Sequence, residues 1–251
     1  MIKPHQFKYW LTNERSKDPE AFDATVRQVC DLYAKAVVLH GQGTHVISTD
    51  EKTGMQATQR KQPTLPMQPG LVERREFEYI RHGTQCLMAN FEVATGRVIA
   101  PSIGPTRKEA DFAAHIEQTI ETDASAGWVF IVDQLNTHMS ETLVRCIAAR
   151  CGIEVDLGVK GKQGILKSKK TRKQFLAHPD HRIRFVYTPK HTSWLNQVEI
   201  WFSILVRRVL KRGDFKSVAE LRARILAFIA YFNETMAKPF KWTYKGRPLA
   251  A

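Results

Sequence analysis

Apolar residues recur along this chain in two periods, and the alternation between them outlines the elements. Residues 1–35 are mostly polar. From Asp18-Pro19, a plausible helix start, Phe22, Val26, Val29 and Tyr33 follow at helical spacing and form one narrow stripe. Ala36 to Leu39 and His45 to Thr49 then read as strands, the second ending in Asp50. Residues 53–70 are rich in Gln and Pro and read as an irregular loop. Residues 84–93 alternate, with Leu87, Ala89, Phe91 and Val93 on one face. Thr95-Gly96 is a turn into a return strand, Val98 to Ala100. Thr106 and Glu109 have capping-box spacing ahead of Phe112, Ile116 and Ile120, a helix to about Asp123. Trp128 to Val132 is unbroken apolar sequence ending in Asp133, which suits a strand buried on both faces. A helix from about Met139 to Cys151 follows, stopped by Gly152.

The last third centres on residues 183–212. Ile183 to Tyr187 is a short strand that Pro189 terminates. Ser193 is read as the N-cap of a long helix whose apolar face is Leu195, Val198, Phe202, Leu205 and Val209. Arg207, Arg208, Lys211 and Arg212 load its end and Gly213 closes it. Ser217 with Glu220 caps a final amphipathic helix, Leu221 to Phe232. The order β-β-β-α-β-α-β-α-α predicts an α/β fold, a mixed sheet flanked by helices. Residues 36–237 are taken as its domain, after a linker at 1–35 and before a basic, aromatic tail at 238–251 that packs or touches nucleic acid.

Charge changes this picture. The 251 residues carry a net charge of +13, which calls for a polyanionic partner, most simply nucleic acid. Residues 156–182 concentrate it: Lys160, Lys162, Lys167, Lys169, Lys170, Arg172 and Lys173 occur without an acid among them. They read as a solvated loop, as a set of phosphate contacts, or as both. The spacing of Gly158 and Gly164 excludes a P-loop. Cys30, Cys86, Cys146 and Cys151 show neither CxxC pairing nor zinc spacing and are read as free thiols. No stretch approaches the roughly 18 apolar residues of a membrane span, and no signal-peptide core follows Met1, so an intracellular protein is expected.

Three carboxylates stand at element ends. Asp50 and Asp133 close strands, and Glu199 sits near the start of the helix after the last strand, with Asn196 three residues earlier on the same side. Ligand sites gather at the carboxyl ends of strands in open sheets. If the first and fourth strands are neighbours, Asp50 and Asp133 lie together and Glu199 can swing over them. Such acids repel unless cations lie between them, and all-oxygen ligation favours Mg²⁺ or Mn²⁺. Two ions about 4 Å apart can clamp the attacking and leaving oxygens of a phosphodiester.

The words around these acids carry a resemblance. IVDQLNTHMS resembles the second-Asp motif of DDE transposases, TPKHTSWLNQVEIWF their third motif and VISTDEKTGMQA their first. Across about residues 40–235 the chain resembles bacterial insertion-sequence transposases of the mariner superfamily. The resemblance implies a ribonuclease-H-like core with Asp50, Asp133 and Glu199 as the catalytic, metal-binding triad. Asn136 and His138 would support the site or touch DNA, and Asn196 would orient Glu199 or a phosphate. Lys160 to Lys173 and Arg207 to Arg212 would contact DNA. It further implies Mg²⁺, with Mn²⁺ able to substitute and two ions at work, no organic cofactor, double-stranded DNA at transposon ends and target, and a synaptic homodimer. The reaction would be cleavage at the transposon end followed by 3′-OH strand transfer, in the bacterial cytoplasm at the nucleoid.

Two features depart from that pattern. Asp133 and Glu199 are separated by 65 residues, more than such motifs usually allow, and the excess falls in 156–182, which reads as a basic insertion. Only about 35 residues precede the core, so the linker is expected to be the tail of a truncated DNA-reading region. Two rivals stay open: another ribonuclease-H-like nuclease, and a non-catalytic DNA-binding remnant.

Overall fold

The computed structural model describes residues 17–244. Residues 1–16 of the expected linker and 245–251 of the expected tail lie outside the described residues. The elements run α1 (Pro19–Gly41), β1 (Thr44–Arg60), β2 (Tyr79–Glu92), β3 (Val98–Gly104), α2 (Glu109–Ile120), β4 (Gly127–Val132), α3 (Glu141–Arg150), α4 (Lys169–Leu176), β5 (Ile183–Tyr187), α5 (Gln197–Leu205) and α6 (Val218–Thr235). They build one five-stranded mixed sheet in the order β3-β2-β1-β4-β5. β1, β2 and β3 form an antiparallel meander, whereas β1 and β4, and β4 and β5, pair in parallel. No helix among the described residues is long and apolar enough to cross a membrane.

Strand alternation sorts the core onto two faces. Ile47, Trp128, Phe130, Val132, Phe185 and Tyr187 pack under α2, α3 and α4 with Phe112, Ile116, Leu143, Ile147 and Leu176. On the other face, Val46, Val129, Ile131 and Val186 meet α1 through Val29, Leu32, Tyr33 and Ala36. Leu87, Ala89 and Phe91 meet α5 and α6 through Val198, Trp201, Phe202, Leu221 and Ile225. The aromatic tail packs: Phe240 stacks on Phe91 and Trp242 meets Tyr33 edge-on. Gly96 lets the chain pass there, because at its φ of +72° a Cβ would stand 2.0 Å from the Lys238 carbonyl oxygen.

Several expected elements differ. Ala36 to Leu39 is helix, not strand: α1 starts where Asp18 accepts from the Ala21 N–H, and it runs through the boundary expected at 35/36. Val37 and Val38 face outward, both 62% exposed, so this β-branched run was propensity without a sheet to join. β1 does not stop at Asp50. It continues past a register shift after Lys52 and pairs with β2 to Arg60, so of the loop expected at 53–70 only residues 61–70 lie outside the strand, and the connection to β2 runs on to residue 78. The cap of α2 is not Thr106 with Glu109. Asp111 instead accepts from the Lys108 N–H and the Thr106 hydroxyl. The helix expected from Ser193 is broken: a 3-10 turn spans Ser193–Leu195, Asn196 caps α5, and a π-helical turn runs from Val206 to Leu210.

The insertion is folded rather than a loop. Gly158 and Gly164 approach so closely that a Cβ on Gly158, at φ +79°, would lie 2.2 Å from the Gln163 carbonyl oxygen. Ser168 then caps α4, which buries Phe175 and Leu176.

Candidate active site

β1 and β4 pair in parallel up to Ser48 opposite Ile131. Two residues further along this register, Asp50 stands level with Asp133, where β4 ends and β1 goes on with β2 alone. The two acids are brought to one place as neighbouring strands, although Asp50 lies within its strand rather than at its end. Glu199 enters from the first turn of α5, on the sheet face that Ser48 and Asp50 share.

α5 is held there by a buried polar seam. The Asn196 amide donates to the Thr49 carbonyl at 3.0 Å and to Asp50 Oδ2 at 3.1 Å, and its carbonyl accepts from the Ser48 hydroxyl. Ser48 Oγ in turn accepts from the Val198 N–H at 2.8 Å. The Tyr33 hydroxyl of α1 donates to the Leu195 carbonyl at 2.7 Å. Asn196 therefore hydrogen-bonds Asp50, where Glu199 or a phosphate was the expected partner. The expectation placed it by helical spacing, whereas it is the capping residue and faces the strand.

On the opposite sheet face, His138 is fully buried between two acids. Its Nδ1 lies 2.8 Å from Asp133 Oδ1 and its Nε2 lies 3.1 Å from Glu51 Oε1. Burial lowers the imidazole, but the two hydrogen bonds and the charges of Glu51 and Asp133 overcome this and push it up to about 10. Burial raises Asp133, but the bond to His138, the His138 charge, the Leu135 N–H and the Arg107 charge together outweigh that, so its carboxyl sits below the ordinary range. Asp50 has no such cation. Burial, together with the charges of Asp133, Glu51 and Glu199, pushes it up to about 7, against the pull of the Glu51 N–H. Sequence reasoning missed Glu51, whose only signal was its adjacency to Asp50.

The remaining candidates divide. Asn136 is exposed and accepts from Lys169 Nζ across to α4. Arg172 is not a DNA contact: it is 8% exposed and donates to the Met139 and Leu166 carbonyls at 2.6 and 2.9 Å. It sat in the basic run, but lies on the helix face that packs inward. Lys160, Lys162, Lys167, Lys169 and Lys170 are exposed, Lys173 is half-buried, and Arg207, Arg208, Lys211 and Arg212 are exposed. A cleft beside Asp133 is lined by Asn136, Lys169, Lys170, Lys173 and Lys190, and one beside Glu199 by Lys52 and Arg207. Lys52 lies within the first motif stretch and Lys190 within the third, but sequence reasoning took neither as a DNA contact.

The donor set suits a hard divalent cation: oxygen only, with a buried carboxyl whose charge its neighbours disfavour. Asp50, Asp133 and Glu199 do not stand within a single ion's shell. Among the described residues, the trio of ligand-type side chains whose donor atoms lie within 4.8 Å of one another is elsewhere, at His40, His45 and Glu92.

A ribonuclease-H-like sheet with acids from β1, β4 and the helix after β5 defines a class built for phosphodiester chemistry. The sequence profile of the DDE superfamily endonucleases matches residues 45–222, and the chain belongs to that family. Among solved structures, it is similar to a Mos1 mariner paired-end complex with Mn (14% identity, TM-score 0.55), covering 92% of this chain and 60% of that one. It also resembles the catalytic domain of Mos1 mariner transposase (10% identity, TM-score 0.52), covering 90% and 85%. At these identities the likeness shows the fold. The chain thus spans under two thirds of the paired-end-complex protein and most of the isolated catalytic domain. No curated protein is similar to it in sequence.

Proposed function

We propose that this chain is the catalytic domain of a DNA transposase, cleaving phosphodiesters at transposon ends and transferring the 3′-OH to target DNA. The observation that carries this reading is the convergence of Asp50, Asp133 and Glu199 at one end of the sheet between basic clefts. The likeness of its fold to a mariner transposase in a paired-end complex with Mn supports it.

Asp50, Asp133 and Glu199 would hold Mg²⁺ or Mn²⁺. Two such ions supply Lewis acidity and an activated nucleophile for displacement at phosphorus. The chain's own residues set the geometry. Asn196 fixes Asp50, and the imidazolium of His138 fixes Asp133 in its ionised form, each from a separate sheet face. Lys52 and Arg207 on one side, and Lys169 and Lys170 on the other, hold the phosphate backbone. A homodimeric synaptic complex and a bacterial, nucleoid-associated location belong to the same proposal.

Asp133→Asn, at matched folding, is expected to abolish nicking of supercoiled plasmid in Mn²⁺ while salt-dependent DNA binding is retained. Equal nicking by both proteins would refute the assignment. Tight binding with no nicking by the wild type would favour the non-catalytic remnant.

A further inference from the structure

A second cluster lies at the far end of β4 from the three acids, where α1 ends, β1 begins and β2 ends. His40 is in the last turn of α1, and its Nε2 stands 3.6 Å from Glu92 Oε1. Near the start of β1, His45 Nδ1 lies 2.5 Å from the same oxygen. The three donor atoms fall within 4.8 Å of one another. Glu92 closes β2 with its side chain 6% exposed, and the Thr95 hydroxyl holds its other oxygen at 2.5 Å. The His45 ring stacks on Trp128 with centroids 4.3 Å apart, and its Nε2 faces Asp123 Oδ2 at 3.4 Å.

We infer that His40, His45 and Glu92 form a site for a transition-metal dication, Zn²⁺ by donor chemistry, separate from the carboxylate triad. An ion pair between His45 and Glu92 would need no third group, yet His40 aims its Nε2 at the same oxygen. Two imidazoles and one carboxylate suit Zn²⁺ and disfavour Mg²⁺. Tetrahedral ligation at about 2.0–2.1 Å sets ligand atoms about 3.3 Å apart. The His40–Glu92 separation is already near that, and the His45–Glu92 pair opens by under about 1 Å to reach it. Asp123 accepting from His45 Nε2, and Thr95 on Glu92, are the outer partners such ligands require. His40 is 40% exposed, so the fourth position opens to solvent. The ion would clip the end of α1 to β1 and β2. That helix also carries Tyr33, which braces the approach to α5.

The test titrates the metal-stripped full chain with Co²⁺ and then Zn²⁺. A tetrahedral nitrogen–oxygen site colours Co²⁺ intensely, whereas six-coordinate oxygen ligation at the triad colours it weakly. One equivalent of Co²⁺ is expected to give intense visible bands that Zn²⁺ displaces, with a rise in Tm. His40→Ala, at an exposed position, should remove both effects with an unchanged circular dichroism spectrum. Asp123→Asn should weaken Zn²⁺ binding roughly 10- to 100-fold, and Asp133→Asn should leave the bands intact. Bands missing in the wild type, surviving His40→Ala or vanishing in Asp133→Asn would each overturn the inference.

Discussion

Asn196 caps α5, yet its side chain directs its hydrogen bonds to β1, reaching Ser48, Thr49 and Asp50. Removing it strands buried groups on the strand and frees the Asp50 carboxylate, so both stability and geometry are at stake. Asn196→Ala should cost about 1–3 kcal/mol in urea unfolding. At matched folding it should slow plasmid nicking roughly 100-fold, the scale of a misplaced catalytic group. Nicking at the wild-type rate would show that Asp50 needs no such anchor. The LNQVE stretch was legible in the sequence as a place where chemistry sits. Which acid the Asn serves was not, because helix spacing relates Asn196 to Glu199, while capping geometry turns it toward the strand. Glu51 was hidden for a related reason. Alternation sends it to the opposite sheet face from Asp50, where only folding supplies His138.

α4 shows how an element redistributes what looks uniform in a run of charges. Arg172 lies on its inward face with Phe175 and Leu176, whereas Lys169 and Lys170 are exposed. Arg172→Met should cost about 1–3 kcal/mol for each carbonyl left unpaired, with little change in DNA affinity among molecules that remain folded. Lys162→Gln and Lys170→Gln should do the reverse. Stability is kept, and the log–log salt slope of DNA binding falls by about one for each phosphate left without its lysine. Unfolding curves and binding measured at several salt concentrations separate the two classes. A salt slope unchanged in the lysine variants would remove the turn at Lys162 and the basic face of α4 from the DNA path. The same logic explains α1. Its last turns carry Val37 and Val38, strand-formers by propensity, but the helix was already under way and no sheet edge was on offer there.

Across the whole molecule, two faces of one sheet are closed by different helices, and α2 closes its face with a buried histidine. His115 is 1% exposed, with Nδ1 at 2.8 Å from the Ser102 hydroxyl. Burial, then the positive charge of His138, pushes it down to about 3. Unfolded, it titrates near 6.5. Between these values the unfolded chain binds the extra proton, so stability is present above about pH 6.5 and is lost as pH falls toward 3. The loss contributed by this one group approaches about 1.4 kcal/mol per pH unit within that window. His115→Gln should flatten the wild-type slope of unfolding free energy between pH 6 and 4. Parallel slopes in the two proteins would mean that the histidine is not neutral in the folded state.

The sequence by itself determined the strands that are buried on both faces, the amphipathic helices and the three acidic motifs. Local pattern suffices where apolar periodicity and an element's end coincide, as at Trp128 to Asp133 and Ile183 to Tyr187. Tertiary structure decided the rest. It carried β1 beyond Asp50 because β2 offered a partner through Arg60. It folded the basic insertion because Arg172, Phe175 and Leu176 found burial under the sheet. It set Asp50 level with Asp133 through the parallel register of β1 and β4, and it placed Glu51, His138 and Asn196 as their supports. Glu51 and His138 meet across 87 positions of chain, and Asp50 and Asn196 across 146. No local periodicity encodes a distance that only the closed chain creates.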